Sequence, residues 1–243
     1  MSQNRDKIFT ICLLFASAVF GQTKTINIPT YTSYQSKGDS TLWFKWKYSL
    51  AEKLELPNLQ TSKDTFHFRF WTDIQALDIW TFDYATFFGM VTNYAQRYDS
   101  KLLKKGTYQV DKVFSNKIQL DSSEARNIFQ LLDTLSIVNI LTDDKIKGWQ
   151  QGLDGREYII ETSNKSQYDF KTYWTPSIFA DTIIEAKQIQ TLVEKLYNDF
   201  KLGSYYEKLK LPEGMYKRDG IQGIKIRKVN DKNEHKNSIT DWL

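Results

Sequence analysis

The sequence predicts an α+β fold: an antiparallel sheet of about six strands with two or three helices packed on one of its faces. Three observations carry this. Residues 65–118 hold four strand-like stretches joined by short links, which suits antiparallel pairing because parallel strands need long crossovers. Two later stretches, near 121–135 and 181–200, place apolar residues at helical spacing. Between them, Arg156–Thr162 and Tyr168–Trp174 read as a hairpin.

The N-terminus is read separately from the fold. Arg5 and Lys7 precede an apolar run from Ile8 to Phe20, and Val19-Phe20-Gly21 then leads into Gln22. This is the layout of a secretory leader cleaved after Gly21, and the run is too short to span a bilayer. Residues 1–21 are therefore expected to be a signal peptide, 22–229 a single domain and 230–243 a polar tail. The only cysteine, Cys12, lies in the leader, so the mature chain would be free of thiols and disulfides. An exported chain without cysteine suits a bacterial periplasm or exterior.

The elements follow in order. Residues 22–40 are polar and turn-rich, with one short strand candidate at Thr25–Ile28. Asp39 and Ser40 then offer helix caps. Trp43, Trp46, Leu50, Ala51 and Leu54 recur at helical spacing, with Phe44 and Tyr48 widening the apolar face. A strand over Leu42–Tyr48 also alternates, but Ala51 to Leu54 continue the helix. Thr65–Thr72 puts Phe66, Phe68 and Phe70 on one face and His67, Arg69 and Trp71 on the other, the period-two pattern of a strand. Ile74–Phe82, Thr86–Tyr98 and Tyr108–Ile118 are the next strands, with Gly89 as a candidate bulge. Asp121 is placed to cap a helix, and Glu124 to complete a capping box. Residues 139–152 read as loop, Asp154-Gly155 as a turn, and Pro176 as the end of the hairpin. Asp181–Phe200 is a helix with Gly203 as its C-terminal cap. A short helix at Tyr205–Leu209 and a strand at Ile224–Val229 close the domain.

Composition excludes several classes. Hydrophobic residues make up 41% and charged residues 26%, ordinary for a globular chain. Net charge is +4, and Arg5, Asp6 and Lys7 hold +1 of it, leaving +3 on the mature chain. That charge is mostly lysine and forms no basic block, so no nucleic-acid partner is expected. No segment after the leader is apolar for long enough to be a transmembrane helix. Asn164-Lys165-Ser166 matches a glycosylation sequon, a chance match in a bacterial chain.

Catalytic signatures are sparse. Two histidines, His67 and His235, and no mature cysteine argue against a zinc site, and no metal or cofactor is expected. There is no G-x-S-x-G, no G-x-G-x-x-G and no Walker loop. Carboxylates offer the one catalytic option. Asp73, Asp78 and Asp83 recur every five residues, and Glu157, Glu161 and Asp169 share the hairpin. Two carboxylates across a cleft hydrolyse glycosidic bonds. Cross-hairpin pairing of the latter three with Arg156 and Lys171 is the simpler expectation.

Aromatic residues, at 15% with seven Trp, are the anomaly. Most are expected in the core. Trp71 is the best candidate for exposure because it shares a strand face with His67 and Arg69, and Trp149 follows because it sits in the long loop. The candidate ligand-binding residues are thus His67, Arg69, Trp71 and Trp149.

Phe68-Arg69-Phe70-Trp71, Gly89, Tyr94-Ala95, Gly152-Leu153-Asp154-Gly155, Tyr158, Glu161 and Lys171-Thr172-Tyr173-Trp174 resemble an uncharacterised family of exported, signal-peptide-bearing bacterial proteins of unknown function. The resemblance spans roughly residues 40–200. It implies a secreted protein and brings no catalytic residue. The functional expectation is a secreted or periplasmic, non-catalytic binding protein that meets a glycan or protein through an aromatic-polar sheet face. A carboxylate-based, glycosidase-like hydrolase and a structural envelope component are the alternatives.

Overall fold

The computed structural model describes residues 23–30, 38, 40–152 and 155–217, together with the backbone of 223–226. The expected leader with Cys12, the Asp39 cap, Asp154, and the tail with His235 lie outside these residues.

The described chain runs β1 (Thr25–Asn27), α1 (Leu42–Lys53), β2 (Phe66–Trp71), β3 (Gln75–Thr81), β4 (Phe87–Tyr98), α2 (Ser100–Leu103) and β5 (Val110–Leu120). It continues through α3 (Ser122–Thr134), β6 (Glu157–Ser163), β7 (Gln167–Trp174), α4 (Pro176–Phe179), α5 (Ile184–Asn198), α6 (Leu202–Tyr206), β8 (Gly214–Lys217) and β9 (Gly223–Ile226). The strands form one sheet in the order β1-β7-β6-β2-β3-β4-β8-β9, with β5 also paired to β4. The α+β class is as expected, but among the described residues the sheet has nine strands rather than about six. β1 overlaps the strand candidate at Thr25–Ile28 and β9 the one at Ile224–Val229, whose last three residues lie outside the described ones, while β8, four residues long, carries no periodic signal.

The meander β2-β3-β4-β5 is antiparallel throughout, and the β6–β7 hairpin docks β6 antiparallel against β2. β1 adds to β7 in parallel. Gly89 pairs regularly with Ile79 and Leu120, and the bulge lies instead at Arg97/Tyr98. Space is tight at Gly89: a Cβ there would stand 2.9 Å from Leu120 Cδ1 and 3.1 Å from Leu120 Cβ, so the Leu120 side chain would have to shift.

The alternation in β2 separates two cores. Phe66, Phe68 and Phe70 join Leu77, Ile79, Val91 and Ile160 beneath Ile128 and Leu132 of α3 and Ile189, Leu192 and Leu196 of α5. On the opposite face Trp71, Ala76, Tyr94, Ile159, Tyr168 and Phe170 pack against Leu50 of α1, with Leu54 and Leu59 from the segment after it. Helices therefore cover both faces, not one. The apolar stripe of α1 predicts that it packs, but not on which face.

Asp121 caps α3 as expected, its carboxylate accepting the Glu124 N–H at 2.8 Å. Glu124 does not reach back; its carboxylate accepts the Tyr205 hydroxyl at 2.9 Å. Pro176 opens α4 rather than simply closing the hairpin, at the first helical turn where its missing N–H costs nothing. The long helix is shorter than expected, and Gly203 lies inside α6; Lys201, with φ 52°, makes the left-handed turn between them.

Candidate functional site

Strand register builds a polar row across three strands. Arg69 on β2 lies opposite Asp78 on β3 and opposite Glu161 on β6. Arg69 Nε donates to Asp78 Oδ1 at 2.7 Å and Nη2 donates to the Pro57 carbonyl at 3.1 Å. Nη1 stands 3.6 Å from Glu161 Oε1, an ion pair too long for a hydrogen bond. Glu161 is held by the Trp71 indole N–H at 2.6 Å and the Tyr168 hydroxyl at 2.7 Å.

His67 extends the row. Its Nδ1 is 2.7 Å from Asp64 Oδ2 and its Nε2 is 2.9 Å from Asp78 Oδ1. With both carboxylates ionised they only accept, so each ring nitrogen then carries a proton and His67 is an imidazolium. Trp80 stacks on the ring, with centroids 5.7 Å apart. Burial alone would lower the His67 pKa; the bonds to Asp64 and Asp78 outweigh it and raise it. Burial would raise Asp78, but Arg69 first and His67 next hold it below the usual carboxylate range. Asp64 is likewise lowered, chiefly by its bond to His67.

These directions fix a pH window. The raised His67 pKa contributes stability in full below its ordinary 6.5, and that contribution is lost as pH rises through the folded value. The depressed Asp64 and Asp78 values contribute above 3.8 and are lost as pH falls through theirs. The network is therefore strongest between about pH 4 and 6.5.

A cleft of about 120 Å³ opens above one end of this row. Arg69 and Glu161 contribute to its floor, and Phe44, Lys47, Tyr48 and Phe170 are among its walls. Phe44 meets Phe170 edge-on at 5.2 Å and lies 5.9 Å from the Tyr48 ring. Lys47 Nζ donates to the Thr72 carbonyl and the Tyr94 hydroxyl, both at 3.1 Å, and sits 4.8 Å above the Trp71 ring. The cleft thus offers a cation and an anion side by side within aromatic walls.

The four expected ligand residues are all buried. His67 is 2% exposed, Arg69 1%, Trp71 0% and Trp149 8%. The open sheet face expected around the first three is covered by α1 and Leu54–Leu59. Trp149 belongs to the helix-side core, its indole donating to the Trp174 carbonyl at 2.9 Å beside Tyr173 and Phe179. Of the four, Arg69 alone lines the cleft. No local pattern singled out Asp64, Lys47 or Tyr168. Helical spacing was a usable signal for Phe44 and Tyr48, which stand four residues apart on α1 and line the cleft.

The other carboxylates separate. Asp83 caps its own turn, accepting from Ala85 and Thr86 N–H at 2.9 and 2.8 Å. Asp169 takes Gln167 and Asn27 amides. Glu161 turns to Arg69 rather than across the hairpin, and Lys171 Nζ donates to the Val138 carbonyl at 2.6 Å. Asp143, in the stretch read as loop, is fully buried and accepts the Trp174 N–H at 2.7 Å and the Thr172 hydroxyl at 3.1 Å. Burial, with the nearby Asp143 charge, pushes Glu157 up to about 8. Among the described residues no group of three or more His, Cys, Asp or Glu is placed to hold a metal ion. No helix among them is long and apolar enough to cross a membrane. No family model, no curated protein and no solved structure matches the chain.

Proposed function

We propose that this chain is an exported, non-catalytic binding protein that holds a glycan in the cleft between α1 and the sheet. Export rests on the leader-like N-terminus. The observation that carries the binding reading is the buried Arg69–Glu161 pair on the cleft floor, 3.6 Å apart, beneath aromatic walls. A sugar hydroxyl both donates and accepts, so it bridges a guanidinium and a carboxylate without leaving either charge unpaired. Rings such as Phe44 and Tyr48 suit the apolar faces of a pyranose. At about 120 Å³ the cleft is small for a ligand pocket, so it takes part of one sugar residue and leaves the rest of a chain outside.

The test is a thermal-shift and calorimetric screen against mono- and oligosaccharides. A ligand at 100 times its dissociation constant adds about 2.7 kcal/mol of stability. Tyr48→Ala is expected to abolish that gain while changing the unliganded stability by no more than about 0.5 kcal/mol, because Tyr48 is exposed. The proposal fails if no glycan stabilises the protein, or if Tyr48→Ala binds as the parent does.

A further inference from the structure

We propose that the outer corner of α1 is a docking surface for an anionic phospholipid membrane. α1 turns Phe44, Ala51 and Leu50 inward, yet its opening turns also present two indoles to solvent. Trp43 is 41% exposed and Trp46 54%, and their rings meet edge-on at 5.6 Å. Leu42, beside them, is 51% exposed. Two exposed tryptophans and a leucine within five residues of one helix are more than scattered surface apolarity.

The surrounding charge selects the partner. Lys45 and Lys53 are exposed on the same helix, and Lys217 of β8 lies over the Trp46 ring with its Nζ 5.4 Å from the centroid. The single acid of α1, Glu52, is on the cleft side. Indoles settle at the level of lipid headgroups, with an apolar body toward the acyl chains and an N–H toward water. Lysines beside them meet anionic headgroups. The two features together fit a membrane surface with negative charge better than a second protein with a matching apolar face. The cleft is lined by Phe44, Tyr48 and Glu52 of the same helix and not by Trp43 or Trp46.

Flotation of the protein with vesicles tests this, using phosphatidylcholine alone and phosphatidylcholine mixed with phosphatidylglycerol. Binding is expected to the mixed vesicles, weakening as salt is raised. Trp43→Ser with Trp46→Ser should lower vesicle affinity by about tenfold or more. Lys45→Ser and Lys53→Ser should each lower it by about fivefold. All variants carry the same N-terminus, so differences between them report the corner alone. The proposal is overturned if the parent does not float with anionic vesicles, or if the double tryptophan variant floats equally well. It is also overturned if sedimentation shows a dimer that the double variant dissolves, which would assign the corner to a second copy. The double variant should keep any glycan-induced thermal shift, so loss of docking and loss of the cleft are told apart.

Discussion

Arg69→Met is expected to lower the unfolding free energy by about 3–5 kcal/mol, read from urea denaturation followed by circular dichroism. The volume of the side chain is largely kept, so the loss is electrostatic. Asp78 loses the Nε hydrogen bond and its nearest guanidinium, while its Oδ2 has no partner among the described residues. Glu161 loses the cation 3.6 Å away and keeps only the neutral donors Trp71 and Tyr168. Two carboxylates then stay buried against one imidazolium. Adding Asp78→Asn to Arg69→Met removes one of those charges and is expected to recover at least about 1 kcal/mol, a coupling that independent sites do not show. If the single variant costs less than about 1 kcal/mol, the row is not closed to water in the way the geometry describes.

Trp71→Ala is expected to cost about 3–5 kcal/mol, the range of a large aromatic deleted from a packed core. Trp71 is fully buried, meets Tyr94 edge-on at 6.1 Å, and packs with Ala76 and Ile159 under α1. Trp71→Phe keeps much of the packing and removes the 2.6 Å bond to Glu161, so about 1.5–3 kcal/mol is expected. Trp46→Ala, exposed on α1, serves as the contrast and should fall within about 0.5 kcal/mol of the parent. Equal effects at 71 and 46 would mean that the sheet face is open.

The sheet was legible where side chains alternate over several residues. Phe66, Phe68 and Phe70 were readable as one face and His67, Arg69 and Trp71 as the other, because period two is a local property. Asp121 was readable as a cap for the same reason. What covers the His67 face was not readable. That depends on α1, more than ten residues upstream, choosing one side of the sheet, and no local pattern records the choice. Glu161 shows the same limit: its partnership with Arg69 spans about ninety residues and follows from β6 pairing with β2, which a hairpin signal alone does not dictate. The aromatic excess was rightly expected to fill the core, with Trp71, Tyr94, Tyr168 and Tyr173 among the largest fully buried side chains. The tryptophans read as exposed, Trp71 and Trp149, are inside. The exposed pair, Trp43 and Trp46, belongs to the same apolar helical pattern, yet it is Phe44 of that first turn that packs on the sheet, against Phe170.

The protonation of His67 tests the buried row most directly. Nitrogen-15 chemical shifts of the imidazole, followed from pH 5 to 9, separate His67 from His235 with a His235→Gln control. An imidazolium that keeps both protons above pH 6.5, with both nitrogens reporting charged donors, is the predicted result. A ring that loses its proton at or below pH 6.5 would contradict the bridge from Asp64 through His67 to Asp78.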